Sequence, residues 1–398
     1  MTLARVRAAD EVCRPVSSSD RRSKGGSNVT DVYDWDPADY GRPADYGRPA
    51  AVGAVADFMV IAEIFVNNGP ITGIAASPDG SRLVVTNYSD NSVSVIDTAA
   101  RALVKTIVGV EEPFAIAMGS ARTHCAYISA VSPAYDSIIA VDLRSNAVVA
   151  THSVALSVTD LAVSPDGDRV YVGRTGVGCA DVAVLDATMG EIGLIEIATT
   201  PGTITGCIRI SPDGTRLYVA TDGPAGGQLV VLGTTALSDD DAELGSRSRR
   251  AGTSDGCVGH LGVQIIETIE IGWSIRDVAL SADGGVAYVA SCGPDSSAVI
   301  DIIDTRKNKI SGTCKVGQAA GLLTQIVMSW DGKRAYLVNE DSVTVLNTVT
   351  QDVITTVKVG RRPSCVLESP DGSTLYIADY CGAITVVSIA RAAASRCA

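Results

Sequence analysis

The sequence predicts an all-β fold, a seven-bladed β-propeller with four antiparallel strands per blade, and three observations lead to it. A hairpin written around a Ser-Pro-Asp-Gly turn recurs seven times along the chain. The recurrence keeps a period of forty-odd residues with several short strands per unit, the pattern of a propeller blade. The strand missing from the last unit has its counterpart ahead of the first.

The reference copy is Leu161-Ala162-Val163, then Ser164-Pro165-Asp166-Gly167, then Asp168-Arg169-Val170-Tyr171-Val172. Pro sets φ at the second turn position, Asp bonds nearby backbone, and Gly accepts the positive φ that returns the chain. The copies start at Ser77, Ser120, Ser164, Ser211, Ser281, Ser329 and Ser369, at spacings of 43, 44, 47, 70, 48 and 40. The second has become Ser120-Ala121-Arg122-Thr123, followed by His124, a solvated turn residue on this reading. Seven positions after each Ser stands Val84, Tyr127, Tyr171, Tyr218, Tyr288, Tyr336 or Tyr376.

A third strand follows in each unit, as in Val93-Ser94-Val95-Ile96 and Val343-Thr344-Val345-Leu346, and then a turn opened by Asp97, Asp142, Asp186, Asp304 or Asn347. A fourth strand comes next, as in Ala102 to Ile107 and Asp352 to Val357. The last unit stops after its third strand, Ala383 to Val387, while Phe58 to Phe65 has strand composition and no hairpin of its own. That segment is expected to close the ring as the outer strand of blade seven.

With the turns and the strands Tyr171-Val172-Gly173, Tyr218-Val219-Ala220, Tyr288-Val289-Ala290, Tyr336-Leu337-Val338 and Tyr376-Ile377-Ala378 in hand, residues 57–390 resemble the YVTN-type seven-bladed β-propellers of bacteria, WD40-like in layout. Members of that group are mostly surface-layer, ligand-binding or uncharacterised propellers with no shared catalytic motif, so the resemblance implies a scaffold. The lactonase-type propellers look like the nearest enzymes, and no motif of theirs stands in this chain.

The chain of 398 residues carries 32 Lys plus Arg against 45 Asp plus Glu, a net charge of -13. Such a surface repels phosphate backbones, which speaks against nucleic-acid binding unless Arg174, Arg276, Arg361 and Arg362 form a local patch. The first ten residues lack the apolar core of a signal peptide and no apolar run is long enough to span a membrane, so a cytoplasmic monomer is expected, with export by another route left open. The ten Cys form no CxxC pair. Cys125, Cys207 and Cys365 fall on strands and read as small core residues, while a disulfide among the loop residues Cys179, Cys292 and Cys381 stays open.

Residues 1–56 hold too little apolar material to offset ordering entropy and are expected to be a disordered or extended tail. Its tandem hexapeptide, Ala38 to Pro43 and Ala44 to Pro49, reads as linker slippage or as a docking motif using Tyr40 and Tyr46. Blade four holds an insertion, 233–262, with an acidic run from Asp239 to Glu243, a basic run from Arg247 to Arg250 around Ser248, and Cys257 near His260 without the second pair that a zinc site needs. Residues 391–398 form a short C-terminal tail.

Propeller topology puts the Ser-Pro-Asp-Gly turns and the third-to-fourth turns on one face, and the second-to-third loops with the blade connections on the other. The first face is uniform and reads as structural; Arg82, Arg169, Arg216 and Arg334 are expected there to pair with Asp97, Asp186 and Asn347 across the sheet. The opposite face is where the repeats differ, and variable loops on a rigid scaffold carry binding residues. Its ligand-binding candidates are Asn87, Tyr88, Arg174, Trp273, Arg276, Asn339, Arg361, Arg362, Asp379 and Tyr380.

The position four before each marker Ser gives Gly73, Ile116, Asp160, Cys207, Asp277, Gln325 and Cys365. Asp160, Asp277 and Gln325 are candidate ligands at the mouth of the central channel for Ca2+ or another divalent cation, against the plainer reading of a water-lined channel. Three functions are therefore carried forward. They are a non-enzymatic scaffold binding a protein or small ligand on the variable face, a metal-assisted hydrolase or lactonase at the channel mouth, and nucleic-acid binding.

Overall fold

The computed structural model describes residues 58–66, 69–131, 135–234, 261, 263–293, 298–316, 323–359 and 362–390. The expectations for the N-terminal tail, for Arg361, for insertion residues 235–260 and 262, and for 391–398 lie outside the described residues.

Among the described residues twenty-eight strands form seven four-stranded antiparallel sheets. Blade one is Ile71–Ala76, Arg82–Asn87, Ser92–Asp97 and Ala102–Val108, in that order from inner to outer edge. Blade seven is Pro363–Glu368, Thr374–Asp379 and Ala383–Ile389, with Phe58–Phe65 hydrogen-bonded to the last of these. The N-terminal strand therefore closes the ring, pairing Phe58 with Ile389 and Phe65 with Ala383.

Seven buried clusters hold the ring together, one at each seam between neighbouring blades. The repeated Tyr explains itself here, because Tyr127, Tyr171, Tyr218, Tyr288, Tyr336 and Tyr376 each enter the seam with the following blade. Burying a large side chain stabilises by roughly 1.5–3 kcal/mol, and the repeat applies that gain blade after blade. Val84 takes the same place between blades one and two.

The Ser-x-Asp-Gly turns are built alike. In blade one Ser77 Oγ donates to Asp79 Oδ1 at 2.5 Å, Ser81 N donates to the same oxygen at 3.0 Å, and Arg82 N donates to Ser77 Oγ at 2.9 Å. Gly80, at φ 71°, donates its N–H to Ser77 O. These bonds hold Asp79 down to about pKa 2, with Ser77 the largest contributor. Blades three to seven repeat the set with Ser164, Ser211, Ser281, Ser329 and Ser369. The third-to-fourth turn lies beside it, since Thr98 donates to Gly80 O at 2.7 Å and Thr305 and Thr348 bond Gly284 O and Gly332 O likewise.

The arginines behind these turns depart from the expected pairing. Arg82 does pair with Asp97. Arg216 instead crosses to the next blade, to Thr305 O and to Asn308 Oδ1 at 3.3 Å, and Arg334 lies 5.4 Å over the Phe58 ring. A guanidinium goes where acceptors or a ring face are left open, and in these blades the seam offers more than the sheet does.

Each outer strand carries a β-bulge at the same place, near the turn-bearing face. Bulges bend the strand that carries them and increase its local twist.

Candidate functional site

The channel-side strands come first, because the proposed metal ligands sit on them. Asp160 Oδ1 accepts from its neighbour Leu161 N at 2.9 Å, and Oδ2 accepts from Ile208 N of blade four at 3.0 Å. Asp277 repeats this one seam on but one: Oδ1 accepts from Val278 N at 2.8 Å and Oδ2 from Ile326 N of blade six at 3.1 Å. Gln325 Oε1 accepts from Val366 N of blade seven at 2.7 Å. In blades three, five and six the position four before the marker Ser is thus a clasp, an acceptor taking an N–H from the first strand of the following blade.

A residue that sequence reasoning passed over completes the group. Arg209, on the blade-four strand Ile204–Ile210, stands between the two carboxylates. Its side chain donates to Asp160 Oδ2 at 2.7 Å, Asp277 Oδ1 at 2.5 Å, Val278 O at 2.8 Å and Ile208 O at 2.7 Å. Burial pushes the Asp277 carboxyl up while Arg209 pulls against it. On Arg209 burial works against the charge, but Asp277 and Asp160 outweigh it and the guanidinium stays cationic.

This arrangement does not fit a divalent cation. A cation sits where the guanidinium already is, and Asp160, Asp277 and Gln325 turn oxygen atoms towards backbone N–H groups. Among the described residues no group of three or more His, Cys, Asp or Glu is placed to hold a metal ion.

The variable-face candidates fall into two sets. The first residues of the second-to-third loops are buried. Asn87 Nδ2 donates to Ser92 Oγ at 3.0 Å and Ser94 Oγ at 2.9 Å, and Asn339 Nδ2 donates to Thr344 Oγ1 at 2.8 Å. Arg174 makes a two-point contact with Asp181, at 2.7 and 3.0 Å, and Asp379 Oδ1 accepts from Cys381 N and Ala383 N. Each ties its own hairpin together from inside. Tyr88 is also buried, with its hydroxyl on Glu112 Oε2 at 2.7 Å.

In the second set Trp273 and Arg362 are exposed, and Arg276 and Tyr380 are half-buried. Trp273 is 43% exposed at the entry to blade five. Arg362 spans Glu340 Oε1 at 3.5 Å and the Tyr380 ring at 5.8 Å, and Arg276 Nε donates to Cys292 Sγ at 3.2 Å. The structure adds four exposed apolar side chains on the same face that composition alone did not flag: Phe65, Val108, Tyr135 and Val177. Register places them there, since Phe65 pairs with Ala383 and Val108 with Ser92, both at the starts of third strands, and Val177 tips the hairpin closed by Gly176 and Cys179. The readable signal was Val177 between two glycines, an aliphatic residue in a turn.

The described cysteines are all free thiols, Cys179, Cys292 and Cys381 among them; Cys207 and Cys365 are buried and Cys125 half-buried. His124 is half-buried at φ 52°. Among the described residues no helix is long and apolar enough to cross a membrane.

Comparison with known proteins agrees with this architecture. The family model of the WD domain, G-beta repeat, matches residues 61–97. The solved structure of Kuenenia stuttgartiensis hydrazine synthase superposes with a TM-score of 0.67 at 20% identity, over 83% of this chain and 97% of that one, which is a likeness of fold. The seven-bladed beta-propeller protein Rv1057 of Mycobacterium tuberculosis (strain ATCC 25618 / H37Rv) is 52% identical over 334 residues, covering 83% of this chain and 84% of its own. With seven closed blades and a relative of that identity and coverage, the chain belongs to the family of seven-bladed β-propeller proteins that includes Rv1057.

Proposed function

We propose that this propeller is a binding scaffold that docks a protein partner on the face bearing the second-to-third loops and blade connections. The observation behind the reading is the exposed apolar set on that face, Phe65, Val108, Tyr135, Val177 and Trp273. Exposed large apolar side chains presented by the loops of a rigid scaffold suit a docking surface, and aromatic side chains contribute most to such interfaces. Arg362, held against Tyr380 and Glu340, supplies a charged rim.

A protein suits this surface better than a small molecule. Small-ligand sites are concave and enclose most of their ligand, whereas these side chains project from loop tips and strand ends. A metal-assisted hydrolase at the channel mouth would have to displace Arg209 from Asp160 and Asp277. Nucleic-acid binding through Arg174 and Arg276 is disfavoured because Arg174 is spent on Asp181.

The test compares affinity capture by the wild-type chain with capture by Trp273→Asp/Val177→Asp and by Trp330→Asp, which alters an exposed Trp on the opposite face. A partner retained by wild type and Trp330→Asp but lost by the loop-face pair supports the reading. Equal retention by all three sinks it.

A further inference from the structure

The outer edge of blade five carries more cations than any other outer edge in the ring. Among the described residues its outer strand, Lys309–Val316, is bonded to one strand, Ala298–Asp304. The strand and the turn leading into it present four exposed cations, Arg306, Lys307, Lys309 and Lys315, and residues 305–316 contain no Asp or Glu. Lys307 pairs with Asp304 at 3.0 Å, while Lys309 and Lys315 have no carboxylate partner among the described residues. The outer strands of blades three, four and seven carry Glu, at Glu191 and Glu196, Glu267 and Glu270, and Glu63, while blade one presents two cations, Arg101 and Lys105, and blade six Lys358 beside Asp352. In a chain of net charge -13, this is a concentrated positive edge.

The same ring shows what such an edge accepts. At blade three, Leu261 N donates to Leu194 O of the outer strand at 2.7 Å, and Leu261 and Val263 pack on the blade-three and blade-four core beside Ile192 and Ile197. A backbone N–H from outside the sheet thus bonds an outer-strand carbonyl in this fold, with apolar side chains packed beside it. On blade five Thr313 donates to Asp301 Oδ1 and Cys314 to Gln351 O of blade six, while Lys309, Ile310 and Lys315 are exposed.

We propose that the outer edge of blade five docks an acidic, extended segment of a partner protein, which adds to the sheet as a fifth strand. Main-chain hydrogen bonds supply the affinity, and the lysines select the segment's charge. Lysines on an edge also deter pairing with another copy's basic edge; an acidic strand is the one they attract. This surface is separate from the loop face, so the two readings stand or fall independently.

The probe is a fluorescein-labelled peptide of alternating Glu and Val, titrated against the full chain by anisotropy at low and high salt. Controls are its Lys-for-Glu counterpart and a version with Pro at alternate positions. The Glu/Val peptide is expected to bind, to weaken with salt, and to slow hydrogen exchange at the amides of Gly312 to Val316. Lys309→Glu/Lys315→Glu, and the milder Lys309→Gln/Lys315→Gln should the first misfold, are expected to lower affinity by about tenfold. Trp273→Asp should leave it unchanged. The proposal fails if the Glu/Val peptide does not bind at low salt, if the lysine variants bind it as wild type does, or if the Pro-containing peptide binds equally. Protection confined to other strands, or displacement by a single-stranded oligonucleotide that binds more tightly than the peptide, would overturn it as well.

Discussion

Arg209 of blade four donates to Asp277 of blade five at 2.5 Å while its other terminal nitrogen holds Asp160 of blade three at 2.7 Å. One guanidinium therefore spans three blades on the channel side, and its charge is what permits two carboxylates to sit on inner strands. Arg209→Met is expected to strand both carboxylates. Because its side chain is 31% exposed, the loss should be about 1–3 kcal/mol, below the range for a sealed pair. Urea unfolding measures it, and adding Asp160→Asn and Asp277→Asn should recover part of the loss, since each Asn removes a stranded charge but keeps one of the two N–H acceptors. A variant as stable as wild type would show that channel water replaces the clasp.

Blade one tests the clasp from the opposite direction. Gly73 occupies the position equivalent to Asp160, and a Cβ there would stand 2.8 Å from Ile116 Cγ2 and 2.9 Å from Phe114 O. At this point the seam between blades one and two is packed too closely to hold an acceptor side chain. Gly73→Asp, which copies the blade-three residue, is expected to destabilise by about 1–3 kcal/mol as overpacking does. Thermal unfolding showing a gain would mean that the seam opens readily and that Gly73 is a missing clasp.

Ring closure rests on a strand that arrives from the far end of the sequence. Phe58 meets Tyr336 edge-on at 6.3 Å and lies under Arg334, so the closing strand touches blade six as well as completing blade seven. A chain starting at residue 67 should leave the third strand of blade seven, Ala383–Ile389, open on its outer edge and should lose cooperative unfolding. Phe58→Ala should keep the ring but cost about 1–3 kcal/mol in urea unfolding, less than a fully buried Phe because Phe58 is half-buried. Native-like cooperativity in the truncated chain would show that six closed blades suffice.

The architecture was legible because each blade repeats the same local chemistry. The Ser-Pro-Asp-Gly turn, the Tyr seven residues later and the orphan strand Phe58–Phe65 are local signals whose tertiary roles are the same in every copy. The candidate sites were less legible, since their meaning depends on what lies across a seam. Asp160 and Asp277 looked like cation ligands until Arg209, forty-nine residues from one and sixty-eight from the other, was found between them. Asn87, Arg174, Asn339 and Asp379 vary from blade to blade because each hairpin is tied by a different bond, to Ser92 and Ser94, Asp181, Thr344 and the Cys381 amide respectively. Variation among repeats marks local packing as well as recognition.

The turn carboxylates make the face they line sensitive to acid. Asp79 is held down to about pKa 2, chiefly by Ser77 Oγ and then by Ser81 N, and Asp166, Asp213 and Asp283 are lowered by the same kinds of bond, the serine hydroxyl first. A carboxyl whose folded value lies below its unfolded one, about 3.9, stabilises the fold above that pH. The contribution is lost as pH falls from about 4 towards 2. The thermal midpoint should therefore drop through this window, with little change between neutral pH and 5 from these groups. Ser77→Ala removes the largest of the bonds and frees Arg82 N, so the Asp79 midpoint, followed by carboxyl carbon NMR, should move up towards the ordinary Asp range. An Asp79 midpoint unchanged by Ser77→Ala would assign the depression to the backbone of the turn, and the repeated serine would then matter for hairpin geometry alone.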